Sequence, residues 1–179
     1  RVKRSVNRFS KDVCLDNCEV LDCDLLKLES MDKNKFHGIT HVVHSAARPK
    51  FIEAFDSITH VIHTAANTNF QSKRAWHTNV YGTLDLYHRL RLYATSLTRI
   101  VHVGTSYICG EHCPQLVEED YYIQAHNHFT EYSLSKWQCE MLLDATASDL
   151  PIVVARPSVV IGHTKLGLSP SARFFWFLR

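Results

Sequence analysis

Glycine is scarce in this sequence: six in 179 residues, the first at position 38. A Gly-rich turn that cradles phosphate on its backbone amides needs several glycines close together, and no such cluster occurs. No run of roughly 18 apolar residues is present either, so no segment reads as a membrane-spanning helix. The basic opening Arg1-Val2-Lys3-Arg4 lacks the apolar stretch that would make it a signal peptide. Charge of one sign is also missing. Twenty Lys and Arg against eighteen Asp and Glu leave a formal +2 with both signs scattered, which gives neither nucleic acid nor anionic membrane a footprint. The six Cys include no CxxC pair. Cys14, Cys18 and Cys23 cluster, and Cys109 and Cys113 bracket His112, but neither group has the spacing of a zinc site. Reduced thiols in a cytoplasmic chain are the expectation.

What is present suits one globular domain: 45% hydrophobic residues are enough for a core at this length. Twelve His are many, and the charge is expected to rise below about pH 6.5. Short β-branched runs at Glu19–Leu21, Thr40–His44, His60–Thr64, Arg99–Gly104 and Ile152–Ala155 read as strands, apolar on both faces as in a buried parallel sheet. Helical patterns separate the later runs. Leu86, Leu90, Tyr93 and Leu97 fall on one helical face, and Leu134, Trp137, Met141 and Ala145 on another. Strand and helix in alternation predict an α/β fold, a parallel sheet covered by helices. Ligands of such sheets bind at the carboxyl ends of the strands. Ser45-Ala46-Ala47, Thr64-Ala65-Ala66, Thr105-Ser106 and Arg156-Pro157-Ser158 stand at those ends.

The segment 36–51 resembles the segment 55–70. Ile39-Thr40-His41-Val42-Val43-His44-Ser45-Ala46-Ala47 returns as Ile58-Thr59-His60-Val61-Ile62-His63-Thr64-Ala65-Ala66. One repeat is too few for a solenoid, and a local tandem duplication is the simpler origin.

Tyr132 and Lys136 stand four residues apart, so on a helix their side chains are neighbours, roughly opposite the Leu134/Trp137 stripe. An ammonium beside a phenol favours phenolate and lowers its pKa from about 10. Taken alone, the spacing also describes an ordinary exposed pair. Upstream, Gly104-Thr105-Ser106-Tyr107-Ile108-Cys109-Gly110 puts hydroxyls at a strand end, where they can meet a substrate carbonyl or satisfy local backbone. Asn79-Val80-Tyr81-Gly82-Thr83 opens a helix with Asn79 as its cap.

In this order, from about Asp22 to Gly167, these segments resemble the extended short-chain dehydrogenase/reductases, which include the NAD-dependent epimerase/dehydratases. The resemblance runs through Cys23-Asp24-Leu25, the His-x-Ala-Ala strand end, Asn79-Val80-x-Gly82-Thr83, Thr105 to Gly110, Tyr132-x-x-x-Lys136, and Arg156-Pro157-Ser158-Val159-Val160-Ile161-Gly162. It implies a Rossmann-like parallel sheet with helices on both faces. Hydride would pass between NADP or NAD and a carbonyl or alcohol carbon, with Tyr132 as general acid/base. Lys136 would hold the nicotinamide ribose and depress the phenol pKa. Thr105 would be the catalytic hydroxyl, with Ser106 as substitute. Asp24 and Leu25 would flank the adenine, Ala65 and Ala66 would pass near the pyrophosphate and ribose, and Asn79 would belong to the same cofactor site. Pro157, Ser158 and Val159 would offer backbone groups to the carboxamide. No metal is implied, and a homodimer through paired helices is.

Val61 to Phe70, Ser135-Lys136-Trp137 and Arg156 to Gly162 followed by Gly167 lean toward the thioester and fatty acyl-CoA reductases, which reduce thioester-bound acyl groups, usually with NADPH. Nucleotide-sugar epimerase/dehydratases and hydroxysteroid-type dehydrogenases remain alternatives. The family's GxxGxxG turn and first strand have no counterpart here, and neither does the later substrate portion. The expectation is therefore an incomplete domain, a fragment or truncated product, with a non-catalytic remnant as a further alternative. Of the two copies, Ala65-Ala66 is expected to face the cofactor, and the first copy to form an extra strand or a surface excursion.

Overall fold

The computed structural model describes residues 37–45, 56–110 and 127–159 together with two short strands at 162–163 and 167–168. The expected strand Glu19–Leu21, the adenine contacts Asp24 and Leu25, and Cys14, Cys18, Cys23 and Cys113 lie outside the described residues. The chain divides into two compact units, Asp24–Ser158 and a second made of Arg1–Cys23 with Val159–Arg179. In the second, β5 (Gly162–His163) and β6 (Gly167–Leu168) form a short antiparallel ladder.

The larger unit is built on four parallel strands in the order β1 (His41–His44), β2 (His60–His63), β3 (Arg99–Val103) and β4 (Ile152–Ala155). The duplicated segments lie side by side. β1 pairs β2 with His41 opposite His60 and His44 opposite His63, so the ladder joins each residue to its own copy nineteen positions on. The Thr40 carbonyl accepts from Thr59 N–H at 2.9 Å, and the His44 carbonyl accepts from Thr64 N–H at 2.9 Å. His41 and His60 stack with ring centroids 4.6 Å apart.

Between β2 and β3 the chain runs through α1 (Arg74–Trp76), a π-helical stretch (His77–Gly82) and α2 (Thr83–Tyr93). Between β3 and β4 lie a 3-10 turn (Ser106–Cys109) and α3 (Glu131–Thr146). Thr130 caps α3, its hydroxyl accepting from Ser133 N–H at 3.0 Å. Both α2 and α3 meet the sheet face that carries His44, Val61, His63, Ile100 and His102, all buried. The other face, with Val43 and Val153 among its residues, is exposed: Val43 keeps 66% of its surface. No described helix covers that face. The strands are thus apolar on both sides, as expected, but the described structure buries one.

Two helical faces differ from the expected ones. In α2 the buried residues are Thr83, Leu86, Tyr87 and Leu90, and Leu97 falls beyond the helix end. In α3 they are Ser133, Ser135, Lys136, Trp137, Cys139, Glu140 and Leu143, whereas Leu134 and Met141 are half-buried and Ala145 is exposed. The reason is pairing. The buried polar side chains find partners, Lys136 on the Val103 carbonyl, Ser135 on Asn79, Ser133 on Thr130 and Glu140 on Arg156, so the buried surface is not an apolar stripe.

The covered face holds a row of histidines, one per strand. His44, His63 and His102 are register partners across β1, β2 and β3. His44 Nδ1 and His63 Nδ1 share a hydrogen bond of 2.9 Å. His63 Nε2 meets the Thr83 hydroxyl at 3.0 Å, and Tyr87 Oη meets His102 Nδ1 at 3.0 Å. Burial holds His44 at about 4. Burial, with His44 and Lys136 nearby, holds His63 at about 3, and His102 is pushed well below the usual imidazole range for the same kinds of reason. The expected gain of charge below pH 6.5 therefore does not extend to these three.

Candidate active site

The carboxyl ends of β2, β3 and β4 carry Ala65-Ala66, Gly104-Thr105 and Arg156-Pro157-Ser158. Thr105, buried, ends β3 and caps the 3-10 turn, with its hydroxyl accepting from Tyr107 N–H at 3.3 Å. The same side chain lies near enough to the Tyr132 phenol to favour its ionised form. Tyr132, in the first turn of α3, stands beside Phe70 with ring centroids 5.9 Å apart. The helix start is tied to that segment twice, by Glu131 N–H on the Phe70 carbonyl at 3.0 Å and by Trp76 Nε1 on Glu131 Oε2 at 2.7 Å. Phe70, Tyr107, Phe129 and Tyr132 line a cavity of about 190 Å³, with Gly110, His128, Thr130 and Ser133 completing the wall.

Lys136 lies one turn further along α3 and is 1% exposed. Its Nζ donates to the Val103 carbonyl at 2.8 Å. This corrects the expected picture of a helix face offering both side chains outward: only Tyr132 reaches the cavity, and Lys136 faces the sheet. The expected depression of the phenol pKa is likewise not found. Burial raises Tyr132 above the usual tyrosine value, the Thr105 side chain works the other way, and Tyr107 adds to the rise. With its proton retained at neutral pH, the phenol is a donor.

Asn79 does not cap a helix, because the helical path has already begun at Arg74. Its fully buried amide is spent internally. Oδ1 accepts from Asn67 N–H at 2.8 Å, and Nδ2 donates to the Asn67 carbonyl at 3.1 Å and to Ser135 Oγ at 3.0 Å. Asn79 thus fastens the loop after β2 to the middle of the Tyr132–Lys136 turn. The π-helical turn around it carries an inserted residue, a local feature common at functional sites. Ala65 is buried with its N–H given to the His44 carbonyl at 3.1 Å, and Ala66 is half-buried. Pro157 and Ser158 are exposed, and the Pro157 carbonyl accepts from Ser106 N–H at 3.2 Å, joining the β3 and β4 ends. Val159 belongs to the smaller unit.

Two groups escape the sequence reading. The aromatic lining of Phe70, Tyr107 and Phe129 is scattered over sixty positions and leaves no local pattern. Glu140, fully buried, stands four residues after Lys136 and is paired with Arg156, Nη2 to Oε2 at 2.8 Å. Helical i, i+4 spacing from Lys136 was the signal that could have found it.

The family described as male sterility protein matches residues 23–178. The chain belongs to that family. That family is an NAD(P)-binding branch of the extended short-chain dehydrogenases, on the thioester reductase-like side. No curated protein sequence matches it. Among solved structures it is similar to a thiolation-reductase di-domain from an archaeal non-ribosomal peptide synthetase: 19% identity over 68% of this chain and 35% of that one, TM-score 0.51. It is also similar to a candidate epimerase of Burkholderia cenocepacia, at 22% identity over 87% of this chain and 45% of that one, TM-score 0.56. A third is the Bordetella bronchiseptica enzyme WbmG in complex with NAD and UDP, at 27% identity over 69% and 38%, TM-score 0.52. The male sterility family chain spans less than half the length of each of these structures. Among the described residues no helix is long and apolar enough to cross a membrane.

Proposed function

We propose that this chain carries the proton-transfer half of an NAD(P)-dependent reductase, with Tyr132 as general acid/base toward an acyl thioester or related carbonyl. The observation that carries this reading is Tyr132 at the wall of an aromatic cavity, with the Thr105 side chain acting on its phenol, at the carboxyl end of a parallel sheet. The nicotinamide, when bound, supplies the hydride. In the reducing direction Tyr132 gives its proton to the carbonyl oxygen as that oxygen gains charge, while the Thr105 hydroxyl orients the phenol and the same oxygen. Its raised pKa suits a group that must arrive protonated. At the nicotinamide end, small Ala65 and Ala66 at the β2 end and Pro157 and Ser158 beside Ser106 fit the cofactor, and Lys136, one helical turn from Tyr132, would have to leave the Val103 carbonyl to hold the ribose. Asp24 and Leu25 complete the proposed cofactor contacts, and a homodimer in the cytoplasm is the proposed setting.

The test is NADPH oxidation with a panel of acyl thioesters, aldehydes and nucleotide sugars. Tyr132→Phe should abolish turnover at least a hundredfold, and activity that survives the exchange would remove Tyr132 from the mechanism. Turnover confined to nucleotide sugars would transfer the assignment to the epimerase/dehydratases.

A second reading, a remnant without competent cofactor binding, has its own observation. In the doubly wound order 3-2-1-4-5-6, strand 1 carries the Gly-rich turn and flanks strand 4. β2, β3 and β4 follow one another as strands 4, 5 and 6 do, and β1, whose sequence holds no such turn, takes the neighbouring place. Calorimetry separates the readings: micromolar NAD(P)H binding defeats the remnant.

A further inference from the structure

Glu140 is an unusual place for a carboxylate. Its side chain has no exposed surface, and Oε2 takes both contacts from Arg156, Nε at 2.9 Å and Nη2 at 2.8 Å. Oε1 is buried with no hydrogen-bond partner among the described residues. That free oxygen is pressed against the end of β3, where a Cβ on Gly104 would collide with it. The preceding residue, Val103, holds the Lys136 ammonium through its carbonyl. Ammonium and carboxylate therefore meet the same strand end from consecutive turns of one helix.

A buried ammonium needs a nearby negative charge or it sheds its proton, and a backbone carbonyl supplies only a partial one. Every other titratable group facing Lys136 is neutral or cationic. His63 on β2 and His102 on β3 are held below their usual range. Cys139, on the same helix, is pushed up to about 12 and stays a thiol. Arg156, after β4, is itself a cation. Burial pulls the Lys136 pKa down, and Cys139 and Glu140 pull against it; with Cys139 a thiol, Glu140 is the counter-charge among the described residues.

We infer that Glu140 is the positioning residue for Lys136: its carboxylate, clamped on one oxygen by Arg156, keeps the ammonium charged and turned toward the end of β3. The inference rests on the proposed role of Lys136 beside Tyr132 only for its functional meaning. Gly104 takes on a specific task, since its missing side chain is what admits Oε1 to the strand end.

The test reads Lys136 directly, so that it does not depend on turnover. Nitrogen NMR of the lysine side chains follows the Lys136 Nζ titration in the whole chain, assigned with Lys136→Arg. In Glu140→Gln the Lys136 midpoint should fall by about one pH unit or more. A variant that melts earlier with that midpoint unchanged would show Glu140 to be structural only and overturn the inference. Arg156→Gln is the second arm, at a side chain that still reaches solvent. With the guanidinium gone, the carboxylate acts on Lys136 alone and the midpoint should rise; no rise overturns the inference even if Glu140→Gln fails to fold. Loss of turnover in Tyr132→Phe with an unaltered Lys136 titration would test the reductase reading separately.

Discussion

Acid should unfold this protein well before its carboxylates are protonated, and the histidine row sets the amount. In the unfolded chain an imidazole titrates near 6.5. In the fold His44 titrates near 4 and His63 near 3. Between those values the unfolded state binds protons that the folded state refuses, so stability is full above about pH 6.5 and falls as the pH drops toward 4 and then 3. At pH 5 each of the two contributes a loss of about 2 kcal/mol, 1.5 pH units at about 1.4 kcal/mol each, hence about 4 kcal/mol together. His102 acts in the same direction. Glu140, whose pKa is raised by burial against the pull of Arg156, acts in the opposite one. A loss of about 4 kcal/mol is a large part of the 5–15 kcal/mol that holds a typical domain. Urea unfolding at pH 7.5 and pH 5 measures it. His63→Gln isolates the row: it weakens the fold at pH 7.5 by removing the bonds to His44 and Thr83, yet reduces the fall between the two pH values by about 2 kcal/mol. A wild-type fall under about 1 kcal/mol, or a variant with the full wild-type fall, would refute the reasoning.

Two smaller effects follow from single side chains. Asn79→Ala strips three hydrogen bonds from a fully buried site and leaves Asn67 N–H without its acceptor; a loss of about 2–3 kcal/mol is expected in the same urea assay, and a loss below about 1 would mean that water replaces the amide. Thr130→Ala removes the cap of α3 and should cost about 1 kcal/mol, with Thr130→Ser restoring most of it.

The four strands of the parallel sheet were legible because short runs centred on Val and Ile have few other uses in a chain of this kind. The buried side of α3 was not. Apolar periodicity pointed to Leu134 and Met141, whereas the helix packs through Lys136, Cys139 and Glu140. Hydrophobicity cannot announce a buried charge whose partners, Val103 and Arg156, come from other elements. Tyr132 was legible as a position within an ordered set of segments. Its approach to Thr105, twenty-seven residues away, needed the fold, as did the inward turn of Lys136. Asn79 was read as a cap because asparagine before a helical pattern is usually one; its partners Asn67 and Ser135 lie on other segments.

The in-register pairing of the two copies poses a folding choice. β3 forms its ladder on β2, but β1 offers an edge of almost the same sequence, His-Val-Val-His against His-Val-Ile-His. Backbone pairing alone hardly distinguishes the two, so a chain collapsing around the wrong copy would build a well-bonded sheet with a displaced connection. The copies part company just past the strand: Asn67, which Asn79 grips on both its N–H and its carbonyl, corresponds to Arg48 in the first copy. The Asn67 side chain shapes its loop by accepting from Asn69 N–H at 3.0 Å, which an arginine, having no acceptor, could not do; losing the Asn79 clasp on that loop should appear as heterogeneous refolding as well as lower stability.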